Sequence, residues 1–247
     1  MLLIKNCTAI KFLFLLSLCL SCAFSFAAQV AGAVTHLSGP LLVKKADGTV
    51  KVLTQKSTVE QGDVLIAEKD TYARIKFADN SEVTLRPNTQ LRIDQFSFEE
   101  DKPNNDGFAM TLIKGGMRAV TGILGKRNKE RFGLNTPTAS IGIRGTIFIA
   151  EYVPPELSGV NDPQGAGRPP GLYIQVLDGT IFLKNDAGLL EVSAGQFAYA
   201  ISFSKPPVLL PNNPGMQFSP PVSFPAGNSQ ENASNEKKSG SLICEVR

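Results

Sequence analysis

The feature that most constrains this chain is the strict two-residue alternation running through QGDVLIAEKDTYARIKFADNSEVTLRPNTQLRIDQF, residues 61–96. Ala73, Ile75 and Phe77 fall on one side, with Arg74 and Lys76 on the other. Asp79-Asn80 then turns the chain. Val83 and Leu85 follow on one side against Glu82, Thr84 and Arg86, and after a Pro87-Asn88 turn come Leu91 and Ile93. A period of two fits strands that bury one face and wet the other, and it does not fit a helix. Upstream, Asp47-Gly48 separates two apolar runs, a hairpin signal because that turn requires positive φ. The unit Asp–small–Ser/Thr recurs at Asp47-Gly48-Thr49, Asp79-Asn80-Ser81 and Asp178-Gly179-Thr180. That repetition points to a β-coil or stacked hairpins rather than one closed barrel. The expected class is all-β: short antiparallel strands and turns in a partly solenoid-like or two-layer arrangement, with a disordered C-terminal tail.

The ends of the chain differ from its middle. Lys5 and Lys11 flank a polar start, FLFLLSLCLSCAFSFA follows, and Ser25-Phe26-Ala27 offers small residues for a peptidase. Residues 1–27 therefore read as a secretory signal peptide cleaved before Ala28, giving a periplasmic or secreted protein with no membrane span in the mature chain. The alternatives are an uncleaved anchor, which needs about 18 apolar residues, and a lipid anchor at Cys22. Cleavage would remove Cys7, Cys19 and Cys22, leaving Cys244 without an intramolecular partner. Two of the 25 basic residues lie in this segment and none of the 22 acidic ones, so the remainder balances at 23 against 22. A balanced chain lacks the concentrated positive field that nucleic acid requires. Residues 28–203 form the expected β domain. Residues 204–247, rich in Pro, Asn and Ser, read as a largely disordered tail.

The middle of the chain carries further punctuation. EEDKPNNDG, residues 99–107, is a charged loop. Gly115-Gly116 interrupts FAMTLIKGGMRAVTGIL and argues for strand, kink, strand. GKRNKERFG, residues 125–133, reads either as an anion contact or as a solvated hairpin tip. Residues 153–171 form a Pro- and Gly-rich loop.

Chemistry is sparse. The one histidine is His36, so any Ser-His-Asp arrangement has to use it. One histidine and one mature cysteine do not make a zinc set, and NDPQGAG and DKPNNDG lack the spaced carboxylates of a calcium loop. With no Trp and four Tyr, an aromatic platform for sugars or single strands is disfavoured. No catalytic residue, metal site or cofactor is assigned.

One charge is conspicuous. In NTPTASIGIRGTIFI, residues 135–149, Arg144 stands between glycines within an apolar run. GIRGT leads into Ile147-Phe148-Ile149, which open a strand, so it is not a phosphate loop, which opens a helix. Ile141 and Ile143 share one face; Ser140, Gly142 and Arg144 share the other. Gly145 permits a corner, and a buried guanidinium there needs an acceptor. This stretch, with Thr136, Pro137, Gly142, Arg144, Gly145 and Thr146 as its marker residues, resembles the hallmark of the FecR domain family. GDVLIAEKDTYARIKFADNSEVTLRPNTQLRI is similar to that family's first half, and VLDGTIFL and VSAGQFAYA to its closing strands. The resemblance, over roughly residues 33–201, implies an all-β domain outside the cytoplasm without catalytic residues. Familiar members relay a signal from an outer-membrane transporter to a sigma factor through a cytoplasmic segment and a membrane helix, and this chain departs from that plan. The expected role is a non-enzymatic exported domain binding a protein or cell-envelope component, with a glycan-binding or matrix module, or an iron-uptake-type signal regulator, as alternatives.

Overall fold

Among the described residues, seventeen strands are joined by connections that repeatedly carry the chain from one sheet to the other. The computed structural model describes residues 29–127, 131–143, 145–157 and 167–224. The strands are β1 (Val30–Leu37), β2 (Leu41–Lys44), β3 (Val50–Leu53), β4 (Thr58–Glu60), β5 (Val64–Ala67), β6 (Ala73–Phe77), β7 (Glu82–Leu85), β8 (Gln90–Ser97) and β9 (Gly107–Val120). There follow β10 (Phe132–Asn135), β11 (Ser140–Ile143), β12 (Ile147–Val153), β13 (Gly171–Asp178), β14 (Thr180–Asn185), β15 (Gly188–Ser193), β16 (Phe197–Ala200) and β17 (Val208–Leu210). One short helix, α1 (Ile123–Arg127), follows β9.

Pairing resolves these strands into two sheets. The first has the order β4-β1-β6-β7-β9-β12-β13-β16-β17. The second has the order β3-β2-β5-β8-β9-β10-β11-β14-β15. Every pair is antiparallel except β9 with β10. Strand β9 belongs to both sheets: Gly107–Lys114 pairs in the second, and the remainder pairs with β7 and β12 in the first. The change occurs at Gly115, whose φ of 87° is costly for any side chain. A Cβ there would also lie 2.6 Å from the Thr89 backbone. The all-β, two-layer expectation therefore holds, and the glycine pair marks the kink.

Between the sheets lies the apolar core. Ile75, Val83, Leu85 and Phe148 from the first sheet meet Leu65, Leu91, Ile93 and Leu112 from the second. Phe108 is surrounded by Phe77, Phe96 and Phe132, with ring centroids 4.6, 5.1 and 5.0 Å away. Rings at such tilted and edge-on distances add to area burial.

Two expectations differ from the structure. Thr84 and Arg86, expected on a wetted face, are buried, as is Arg74. For Arg74 and Thr84 the cause lies beyond residue 203: β17 pairs with β16, and the following segment packs Met216, Phe218 and Phe224 on the outer face of the first sheet; Arg86 is buried against Glu151. Residues 204–224 are thus part of the fold rather than of a tail; residues 225–247 lie outside the described residues. The second difference is at GKRNKERFG, which begins in α1 instead of a hairpin tip. Arg127 pairs with Asp106 at 2.8 Å and donates to the carbonyls of Glu99 and Glu100, and Arg131 donates to that of Asn104. These guanidinium groups tie down the charged loop.

The repeated Asp turn also has two forms. At Asp47 and Asp79 the carboxylate accepts the amide two residues on, closing the β2–β3 and β6–β7 hairpins. Asp178-Gly179 instead carries the chain between sheets, from β13 to β14. Asp79 is fully buried and also accepts the Leu124 amide at the start of α1. Burial raises its pKa above 3.8, against the lowering by its Ser81 and Leu124 hydrogen bonds. A carboxyl with a raised folded pKa holds its proton more tightly when folded, so its contribution to stability grows as pH falls through that pKa and is complete below the unfolded value. Asp79→Ala should cost about 2–4 kcal/mol by stranding buried amides. Urea titrations across pH should also show that the variant has lost the part of this acid-side dependence that Asp79 supplies.

Candidate functional site

The marker stretch is built from two turns around one short strand. Thr136 Oγ1 accepts the amides of Thr138 and Ala139, at 3.3 and 3.1 Å, and donates to the Ala139 carbonyl at 2.8 Å. That knot closes the β10–β11 hairpin around Pro137. In β11, Ile141 and Ile143 are buried while Ser140 and Gly142 face outward, in the expected alternation. Gly142 pairs with Gly133 on one side and Phe182 on the other. Gly145, with φ 62°, makes the corner where the chain leaves the second sheet for the first. Thr146 is then fastened to Thr121: its amide donates to Thr121 Oγ1 at 2.7 Å, and its carbonyl receives the Thr121 amide at 3.1 Å. Arg144 lies outside the described residues.

A buried guanidinium–carboxylate cluster does exist, at residues the sequence reading did not select. Glu151 of β12 is 4% exposed. Arg86 Nη1 lies 2.7 Å from its Oε2, and Arg168 Nη2 donates to its Oε1. Glu151 stands opposite Gly116 in the ladder, and a Cβ on Gly116 would come within 3.0 Å of Arg86 Cδ. The missing side chain is what lets Arg86 lie across β9. Arg168 also stacks over the Tyr173 ring at 4.7 Å, and Tyr173 and Tyr199 pack with centroids 4.7 Å apart. Their hydroxyls donate to the carbonyls of Pro169 and Pro170. Burial, with Tyr199 adding to it, pushes the Tyr173 hydroxyl above its ordinary range. The signal for this cluster was the glycine opposite a lone acidic residue in an apolar strand, which only strand register could reveal.

His36 sits in β1 with its ring 5.6 Å from that of Phe224, and directly opposite Arg74 in the ladder. Among the described residues no group of three or more His, Cys, Asp or Glu side chains could hold a metal. Cys22 and Cys244 lie outside the described residues.

The sheets end in open edges. At the margin of the second sheet, β3 pairs only with β2 among the described strands. Val50 and Val52 are 56% and 67% exposed. The Lys45 amide donates to the Thr49 carbonyl at 2.8 Å. Antiparallel alternation then turns the backbone groups of Lys51 and Leu53 toward β2, and those of Val50 and Val52 toward the open side. Charge is light here, with Lys51 the one charged residue of the strand.

Residues 63–182 match the family model described as FecR protein. No curated protein matches the chain. Two crystal structures of a proposed anti-sigma factor from Parabacteroides distasonis align with this chain. Their TM-scores are 0.43 and 0.42 and their identities 11% and 9%, each match covering 60% of this chain and 58% of that one. The chain thus spans less than two thirds of the length of those structures. A cell surface anchoring domain aligns over 25% of this chain and 82% of its own, with 21% identity and a TM-score of 0.25. Among the described residues no helix is long and apolar enough to cross a membrane.

Replacing Glu151 by Ala should destabilise the fold by about 3–5 kcal/mol, because two buried guanidinium groups lose their shared carboxylate. Replacing Arg86, Glu151 and Arg168 together by Met, Leu and Met should recover much of that loss in the same thermal melts.

Proposed function

Residues 63–182 form a FecR domain, and on that premise we propose that the chain is an exported, non-enzymatic β domain that docks a protein of the cell envelope and acts in envelope signalling. The observation that carries the docking mode is the β3 edge. It offers outward backbone donors and acceptors beside two exposed valines, and Lys51 is its one charge. An extended segment of a partner adds to such an edge by backbone pairing, and alternate side chains supply selectivity.

The family reading supports regulation over catalysis; the ring of His36 lies 5.6 Å from that of Phe224. A location outside the cytoplasm follows from the family and from the signal-peptide reading of residues 1–27.

Proline at a residue whose amide points outward removes a donor from the edge without touching the internal ladder. Val52→Pro should therefore leave the melting temperature within a few degrees of the parent while abolishing co-purification of the partner from an envelope fraction. Lys51→Pro, whose amide faces β2, should instead lower stability. Retention of the partner by a folded Val52→Pro protein would rule out docking at this edge.

A further inference from the structure

On the outer face of the first sheet, one transverse row of side chains runs across the strands. His36, Arg74, Thr84, Arg118, Ile149 and Gln175 are successive partners in the ladder. Over this row the segment after β17 lays Met216, Phe218 and Phe224, leaving a cleft of about 440 Å³ between strap and sheet. That volume lies within the range of about 300–1,000 Å³ typical of small-ligand sites. Its walls are mostly apolar, and its floor carries two guanidinium groups.

The two arginines are held differently. Arg74 donates to Thr84 Oγ1 at 3.3 Å and lies 5.6 Å from the Phe224 ring centroid. Arg118, half-buried in the cleft, has no carboxylate within 4.0 Å among the described residues, whereas Arg86, Arg92, Arg127 and Arg168 each have one. Burial first, and then the Arg74 charge, disfavour the charged form of Arg118, with Glu82 acting in the opposite sense. A partly desolvated Arg118 with a like charge nearby is favoured by an anion that joins it. Thr84 and Gln175 flank the position and can hydrogen-bond a second oxygen.

We infer that this cleft binds a small organic carboxylate with an apolar body, its carboxylate on Arg118 and its hydrocarbon portion beneath Met216 and Phe218. A guanidinium presents a planar fork that matches a carboxylate, and the apolar strap excludes water from the pair. The site is on the opposite sheet from the β3 edge, so it stands or falls independently of the docking proposal.

The probe is naphthoate, compared with its neutral isostere naphthamide, in titration calorimetry on the full chain. Naphthoate should bind, and naphthamide should bind roughly tenfold more weakly, the share carried by one charge-assisted pair. Arg118→Gln should erase that difference by weakening naphthoate alone, whereas Lys184→Gln on the second sheet should change neither. Without ligand, Arg118→Gln should melt at or above the parent's temperature, which a purely structural role for Arg118 would not produce. Should that variant fail to fold, Leu177→Glu at the exposed mouth serves in its place and should weaken naphthoate but not naphthamide. Equal affinity for the two probes, an unchanged preference in either variant, or no heat with naphthoate at millimolar concentration would overturn the proposal.

Discussion

The rest of the structure depends on one bent strand. β9 is the element common to both sheets, and its bend needs backbone groups to be satisfied where the ladder changes partners. Thr89 does this. Its hydroxyl accepts the Gly116 amide and donates to the Gly116 carbonyl, both at 3.0 Å, in a fully buried setting. The Arg86 amide adds a second bond to the same carbonyl at 2.8 Å. With the bend fixed, the two halves of β9 set the angle between the layers, and the remaining strands add outward from it on both sides. The Phe108 cluster lies on one half and the Glu151 cluster on the other.

Alternation made much of this legible. A period of two specifies strands whatever their neighbours, so β6, β7 and β8 could be read residue by residue, and Asp79-Asn80 and Pro87-Asn88 located their turns. Long-range order was less accessible. Nothing local distinguishes Asp79-Asn80, which closes a hairpin within one sheet, from Asp178-Gly179, which carries the chain into the other. The wetted face assigned to Thr84 was misjudged for a related reason. Alternation reports two faces, but whether the second meets water depends on a segment more than a hundred residues downstream. That segment has no periodicity of its own. It is held by a few large side chains, Met216, Phe218 and Phe224, whose composition resembles that of an unstructured tail.

Arg144 lies outside the described residues, and the buried ion cluster that the fold does contain, Arg86 and Arg168 on Glu151, has no local mark in the sequence. Glu151 was hard to see because it is the fifth residue of IFIAEYV, a run apolar enough to read as buried on both faces. Strand register pairs it with Gly116, and only the register connects the glycine pair of β9 to an ion pair. The marker residues around Arg144 play a different part. Thr136 ties the hairpin and Thr146 ties the corner to Thr121, so these threonines help carry the chain between layers.

The arginines show how a nearly neutral chain spends its cations on architecture. Arg127 and Arg131 hold the loop of residues 99–107, Arg86 and Arg168 share Glu151, and Arg92 faces Asp94. Each meets oxygen supplied by the protein itself. Arg118 departs from that pattern. It stands in the same row as Arg74 under an apolar strap, where solvent cannot fully screen it and no carboxylate reaches it among the described residues. Relieving it with a glutamate would have been simple, since Gln175 lies two strands away in the same row. A neutral amide at that position keeps the cleft cationic, and a cleft kept cationic beneath apolar walls selects for an anion that brings its own apolar surface.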